Sequence, residues 1–388
     1  MSVAKLFENM AIGNMTARNR IVRAATTESL ATRDGDLTPE LLGLYGELAW
    51  GGVGTIITGY AFVTEDGKPS EGALGIQDDS HLLRFRSLAD VAHENGACII
   101  MQLVYGGSKS KLATDDPRWD NGGRAKCPSA SVGHFALPPL SQPNTTILGA
   151  SSVENPRTHL VPTEATADEL AVLADAFGDA AERAKACGFD GVEIHAAHGY
   201  LLSQCLSRRF NKRQDVYGGP LQNRARLARE CVEAARAAVG SDYPILVKLN
   251  AWDEFDDPAG KNGGLSADES AEVAAWLVDA GASAIDVSGD WHAAAAPLEA
   301  GEPFFAEFGA RLAAELPVPI IVTGGWRSPA QIEAHLERDG IAGVGLGRPF
   351  ICEPDLVARW QAGDMRESAC TACGFCQKHV GIPCSLRQ

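Results

Sequence analysis

Residues 191–200, Gly-Val-Glu-Ile-His-Ala-Ala-His-Gly-Tyr, decide the fold. An apolar run with a β-branched bias ends in two imidazoles and a phenol, and Gly199 lets the backbone turn between them. Residues three apart on a regular strand face opposite ways. His195 and His198 therefore converge only if the strand stops near Ala196 and the chain bends. A strand end carrying two hydrogen-bond donors and the weak acid Tyr200 is where an α/β barrel places its chemistry.

Working outward, seven further short β-type runs appear: Ile21–Thr27, Val53–Tyr60, Ala97–Val104, Ile245–Asn250, Ala284–Ser288, Pro319–Thr323 and Gly343–Gly347. Helical periodicity separates them, over Pro39–Ala49, Leu82–Asn95, Asp168–Cys187, Arg224–Val239, Ala267–Ala280, Phe305–Glu315, Pro329–Arg338 and Pro354–Gln361. Thr166 and Glu169 form a capping-box signature ahead of the third helix. Eight strand–helix pairs predict an α/β fold, a closed (β/α)₈ TIM barrel rather than an open doubly wound sheet. No Gly-x-Gly-x-x-Gly follows the first strand, which also disfavours a dinucleotide domain. The long Pro-, Gly- and Ser-rich loop Tyr105–Ala165 after strand three is expected to wall the C-terminal mouth.

The net charge of −16 opposes nonspecific binding to nucleic acid or an anionic membrane. No run of 18 apolar residues occurs, and Met1–Arg20 reads neither as a secretory signal nor as a transit peptide. Ten cysteines without an export signal point to reduced thiols or a metal site, and to a cytoplasmic protein.

Thr323-Gly324-Gly325 and Gly345-Leu-Gly347-Arg348 close the seventh and eighth strands, where barrels often hold a phosphate. Glycines bring backbone N–H groups close to an anion, a helix N-terminus adds a favourable dipole, and Arg348 supplies a permanent charge. Other strand ends offer Thr27, Gly59, Gln102 and Lys248. A flat heteroaromatic ring with carbonyl and N–H edges matches Thr27 and Gln102, and a lysine beneath one edge stabilises the charge that develops when such a ring is reduced. Flavin mononucleotide meets each requirement.

At this point the motifs resemble the old yellow enzyme family of FMN-dependent ene-reductases. The stretches are Asn19-Arg-Ile-Val, Gly51-Gly-Val-Gly-Thr-Ile-Ile-Thr, Gln102-Leu, Phe189-Asp-Gly-Val-Glu-Ile-His-Ala-Ala-His-Gly-Tyr-Leu-Leu-Ser-Gln, Asn211-x-Arg-x-Asp-x-Tyr-Gly-Gly and Gly345-Leu-Gly-Arg-Pro. The resemblance implies FMN at the barrel mouth and NAD(P)H as reductant. It places Ala24, Ala25, Thr26 and Thr27 along the flavin, with Gly59 and Gln102 flanking it. Lys248 stands where the family usually has an arginine. Gly324, Gly325, Gly347 and Arg348 would take the phosphate. His195 and His198 would polarise the carbonyl of an α,β-unsaturated small-molecule substrate, hydride would come from flavin N5, and Tyr200 would be the proton donor. Asn211, Arg213 and Asp215 would order the following loop, and a homo-oligomer is in keeping with the family. The family's Ala-Pro-Met-Thr is replaced by Ala24-Ala-Thr-Thr27, and its Gln-Leu-x-His-x-Gly-Arg by Gln102-Leu-Val-Tyr105-Gly-Gly-Ser108, so substrate preference does not transfer.

Beyond the barrel, expected over residues 1–365, the tail 366–388 carries Cys370-x-x-Cys373-x-x-Cys376 and Cys384. Four thiols this close are candidates for Zn²⁺ or an iron–sulfur cluster, as in larger relatives that reduce dienoyl thioesters. The spacing departs from the pattern expected for such a cluster, and the second, dinucleotide-binding module of those relatives is not expected. Two alternatives remain open at this stage. One is a dienoyl-thioester-type reductase with a metal or cluster in the tail. The other is a non-flavin phosphate-binding barrel enzyme using Lys248 as a Schiff base or the histidines as metal ligands.

Overall fold

The computed structural model describes residues 4–110, 147–156, 158–253, 259–261, 263–289, 303–378 and 381–387. Eight parallel strands close on themselves: β1 (Ile21–Arg23), β2 (Thr55–Ile57), β3 (Cys98–Val104), β4 (Gly191–Ala196), β5 (Ile245–Asn250), β6 (Ala284–Ser288), β7 (Ile320–Thr323) and β8 (Gly343–Leu346). The ring closes through β8–β1 on one side and β3–β4 on the other. This is the predicted barrel, in the predicted strand order. Most of Tyr105–Ala165, expected as a wall, lies outside the described residues, as does Cys127.

Around the strands run α1 (Pro39–Trp50), α2 (Leu82–Glu94), α3 (Ala167–Ala186), α4 (Leu201–Leu206), α5 (Arg226–Val239), α6 (Ala267–Asp279), α7 (Ala306–Glu315), α8 (Pro329–Arg338), α9 (Arg348–Cys352) and α10 (Leu356–Gln361). The Thr166–Glu169 capping box forms as expected, and Ser266–Glu269 makes a second at the start of α6. Each satisfies two N-terminal N–H groups that a bare helix would leave to solvent.

The sequence reading missed the antiparallel hairpin of Met10–Ile12 and Met15–Ala17. Its strands are three residues long, too short for a periodic signal. The hairpin plugs the barrel floor. Met10, Ile12, Met15 and Ala17 pack against Val22, Ile57, Ile100, Leu246, Ala284 and Ile321, which point inward from the strand starts. Burying such side chains contributes about 1.5–3 kcal/mol each.

One pleat higher, the interior turns polar. Gln102, Glu193, Lys248 and Asp286 are all buried, with Thr323 beside them. The outer faces of the strands pack on the helices in one continuous apolar cluster. Among the described residues no helix is long and apolar enough to cross a membrane. The nine described cysteines are free thiols.

Candidate active site

β4 stops at Ala196, as the spacing of the two histidines requires. His198 then takes φ +56° and Gly199 φ +70°. Two consecutive left-handed residues reverse the chain, and the imidazoles of His195 and His198 meet edge to face with ring centroids 5.0 Å apart. Tyr200 follows at the start of α4 and brings its phenol ring 4.9 Å from His195. Gln204 holds this turn, since its Nε2 donates to the Gly199 carbonyl at 2.7 Å while its Oε1 accepts from Ser108 N–H.

The protonation of His195 can be argued from its surroundings. Its Nδ1 accepts the Ala197 N–H at 3.3 Å, which leaves the ring proton on Nε2. Burial drives its pKa well below the ordinary imidazole value, and the positive charges of His198, Lys248 and Lys109 push the same way. His195 is thus a neutral donor at physiological pH. His198 is set by its N–H to Asn250 Oδ1 (3.0 Å) and by Nε2 against Ser288 Oγ (3.0 Å).

Below the histidines lies a charged layer. Lys248 Nζ pairs with Asp286 and sits 3.4 Å from Glu193 Oε1. Gln102 Nε2 donates to Glu193 Oε2, and Thr323 Oγ1 donates to Asp286 Oδ1. Burial pushes the Glu193 carboxyl up to about 8, against the pull of Lys248. Gln102 and Lys248 were expected at a flavin edge and do face the same interior. Their carboxylate partners were not foreseen. The signal was available: Glu193 shares parity with His195, and Asp286 interrupts an apolar strand.

The segment after β1 is fixed from behind. Arg23 points outward, pairs with Glu28 and stacks over Tyr45, whose hydroxyl accepts the Gly59 N–H. A Cβ on Gly59 would come within 2.2 Å of Glu28 Oε2 and 2.8 Å of the Thr26 carbonyl. The structure therefore places Gly59 against the loop, where it lets residues 24–28 approach. Ala24 N–H bonds the Leu346 carbonyl, and Thr26 Oγ1 bonds the Ala24 carbonyl; Ala25 and Thr27 are half-buried beside them.

At the phosphate end, Gly324 (φ +117°) and Gly325 (φ +86°) follow β7, with Gly324 N–H bonded to the Gly345 carbonyl. Gly347 precedes α9, and a Cβ there would meet only Thr26 Oγ1, at 3.7 Å. A Cβ on Gly324 would meet only the rings of Phe304 and Phe305, from 3.5 Å outward, so neither Gly324 nor Gly347 is held by close contacts. Arg348 opens α9, which has five residues, so a helix dipole adds little.

Arg348 also lines a cavity with Cys370, Cys373, Cys376 and Cys384. The tail folds back onto the barrel: Gly381 N–H bonds the Glu28 carbonyl at 2.8 Å and Ser368 N–H bonds the Arg327 carbonyl at 2.9 Å. Four thiols share this pocket, yet among the described residues no group of three or more His, Cys, Asp or Glu converges as metal ligands do. The expectation of a metal at these cysteines gains no geometric support. Asn211, Arg213 and Asp215 do what was expected of them, binding the loop through Asn211 Nδ2 to the carbonyls of Cys205 and Tyr217 and through Arg213 to Asp215.

Comparison with known proteins agrees with this architecture. An NADH oxidase of Thermoanaerobacter brockii is 32% identical over 376 residues, covering 95% of this chain and 53% of that protein. An NADPH dehydrogenase of Bacillus licheniformis is 33% identical over 292 residues, 74% of each chain. The chain thus spans about half the length of the first relative. Among solved structures, a 2-naphthoyl-CoA reductase complex superimposes with a TM-score of 0.80 at 26% identity, over 96% of this chain and 54% of that one. An old yellow enzyme homologue of Zymomonas mobilis shares the fold, with a TM-score of 0.74 at 23% identity over 95% of this chain and 96% of that one. The family model described as NADH:flavin oxidoreductase / NADH oxidase matches residues 5–367, so with the barrel, the strand-end histidines and the glycines after β7 and β8 in place, the chain belongs to that family.

Proposed function

We propose that this chain is an FMN-dependent oxidoreductase that uses NAD(P)H to reduce the activated C=C bond of an α,β-unsaturated carbonyl compound. The observation that carries the reading is the convergence of His195, His198 and Tyr200 on one strand end. When bound, FMN supplies hydride acceptance from NAD(P)H and hydride donation to the substrate's β-carbon. Ala24, Ala25, Thr26 and Thr27 would lie along the ring, Gln102 and Lys248 would face its polar edge, and Gly324, Gly325, Gly347 and Arg348 would take the phosphate.

The chain's own part is electrostatic and acid–base. His195, neutral with its proton on Nε2, donates to the substrate oxygen beside His198, and both stabilise the negative charge that develops there. Donors of this kind contribute about 3 kcal/mol each. The Tyr200 hydroxyl holds the proton for the α-carbon. The free thiols suit a reducing, cytoplasmic compartment. For the tail we favour thiols without metal, and iron and zinc analysis of the purified protein decides it.

A second reading takes a conjugated thioester as the oxidant, favoured by the structural likeness to a 2-naphthoyl-CoA reductase. Screening enones against dienoyl thioesters separates the two. The test of the mechanism is Tyr200→Phe: flavin reduction by NAD(P)H stays intact while reoxidation by substrate slows at least tenfold. Equal loss in both half-reactions rejects the role.

A further inference from the structure

Glu193 and Asp286 are both fully buried, and the single ammonium of Lys248 stands between them. Three donors serve this pair of acids, and they are shared unevenly. Asp286 takes the closer contact with Lys248 and also accepts from Thr323 Oγ1 at 2.7 Å. Glu193 accepts from Gln102 Nε2 through Oε2 alone. Its Oε1 lies 3.4 Å from Lys248 Nζ and has no hydrogen-bond partner among the described residues.

Two carboxylates against one ammonium would leave a net negative charge inside the barrel, which is costly. A proton on Glu193 Oε1 removes that charge and lets the orphan oxygen donate to Asp286, the acid beside it. The groups facing Glu193 from each packed element agree with this. β3 presents Gln102, β5 presents Lys248 and β6 presents Asp286. Above it on β4 stands the neutral His195, and below lies the apolar layer of Ile100, Leu246, Ala284 and Ile321. Burial pushes the Glu193 carboxyl up to about 8, so both of its states fall within a measurable pH range.

We propose that Glu193 is a positioning residue that sets the charge beneath the reducible ring by holding or releasing one proton. Protonated, it leaves Lys248 and Asp286 as a neutral pair. Ionised, it gives the layer one net negative charge, on the side where reduction adds another, and like charges in a buried site repel strongly. Two-electron reduction at high pH therefore draws one proton from solvent onto Glu193. The inference rests on the placement of FMN proposed above, with Gln102 and Lys248 at its polar edge. Gln102 suits that placement, because giving one amide hydrogen to Glu193 leaves its carbonyl oxygen and second amide hydrogen for a ring edge.

The test is a pH series of the two-electron midpoint potential of the FMN-loaded protein, wild type against Glu193→Gln. Glutamine is close in shape, can accept from Gln102 and stays neutral, so it mimics the protonated acid at every pH. Groups that titrate elsewhere, the flavin included, cancel in the difference. A purely structural effect of the substitution shifts the potential equally at all pH values. The gap is expected to be constant from pH 6 to 7 and to widen above pH 8. By pH 9.5 the wild type should be about tenfold harder to reduce, which is about 30 mV for a two-electron couple. A gap that stays constant up to pH 9.5 overturns the proposal. Should Glu193→Gln fail to hold FMN, infrared difference spectra of the wild type decide. Reduction at pH 9.5 should bring up the C=O stretch of a buried carboxylic acid already present at pH 6, and its absence overturns the proposal equally. A widening gap in a protein that reduces no alkene sinks the C=C reading and leaves Glu193 standing. A constant gap in an enzyme that reduces enones sinks this inference alone, and a protein that takes up no FMN overturns both.

Discussion

The hydroxyl of Tyr45 on α1 accepts the backbone N–H of Gly59 at 2.7 Å and donates to Glu28 Oε1 at 3.1 Å. Through this one phenol an outer helix, the end of β2 and the loop after β1 are held in a single arrangement. Tyr45→Phe leaves a buried N–H and part of a buried carboxylate without their partner. It should cost about 1–3 kcal/mol in denaturant unfolding and weaken FMN retention, read by flavin release on dilution. Gly59→Ala should do similar damage by overpacking against Glu28, about 1–3 kcal/mol. Unaltered stability in both variants would remove this loop from the account.

Lys248 and the two acidic side chains beside it behave as a unit. Lys248→Met strands the Asp286 carboxylate in the barrel interior, and breaking a buried pair from one side costs about 3–5 kcal/mol. Asp286→Asn added to Lys248→Met should recover part of that loss. A double-mutant cycle in urea checks it, and simple additivity of the two changes would mean that the groups are not coupled.

Glu193 makes stability depend on pH with a definite sign. Its folded carboxyl titrates near 8, above the ordinary carboxylate range, because burial disfavours the charged form. Below the unfolded value both states hold the proton. Between that value and about 8 only the folded state does, so this contribution to stability falls as pH rises and is exhausted above the folded value. Melting temperatures measured from pH 5 to 8.5 should decline more in the wild type than in Glu193→Gln. Parallel curves would contradict the assignment.

The tail thiols should react in a set order. Cys373 is exposed, and the backbone N–H of Phe375, then the Ser385 hydroxyl, hold its thiol below the ordinary value. Burial pushes Cys370 and Cys376 up, and Cys352 up to about 12. Reactivity follows the thiolate fraction and access. Limited iodoacetamide labelling followed by peptide mass spectrometry should find Cys373 modified first among these four, with a rate at least several-fold above that of Cys352.

The sequence by itself determined the barrel, because each strand and helix carries its own periodicity and caps, and the order of eight such pairs leaves one closed architecture. It also determined the turn after β4: two histidines at a spacing no strand can bring together forced a bend at Ala196, and His198 and Gly199 make it. Only the tertiary structure decided what stands next to what. The pairing of Lys248 with Asp286 and Glu193 joins residues tens of positions apart, as do the fold-back of the cysteine tail onto Glu28 and the seat of Lys109 over Tyr200, while Tyr45 reaches Gly59 from another element 14 positions away. Local propensity is written along the chain, whereas partners are chosen by closure of the barrel, which brings distant strand ends to one mouth and obliges every charge buried there to find its counterpart.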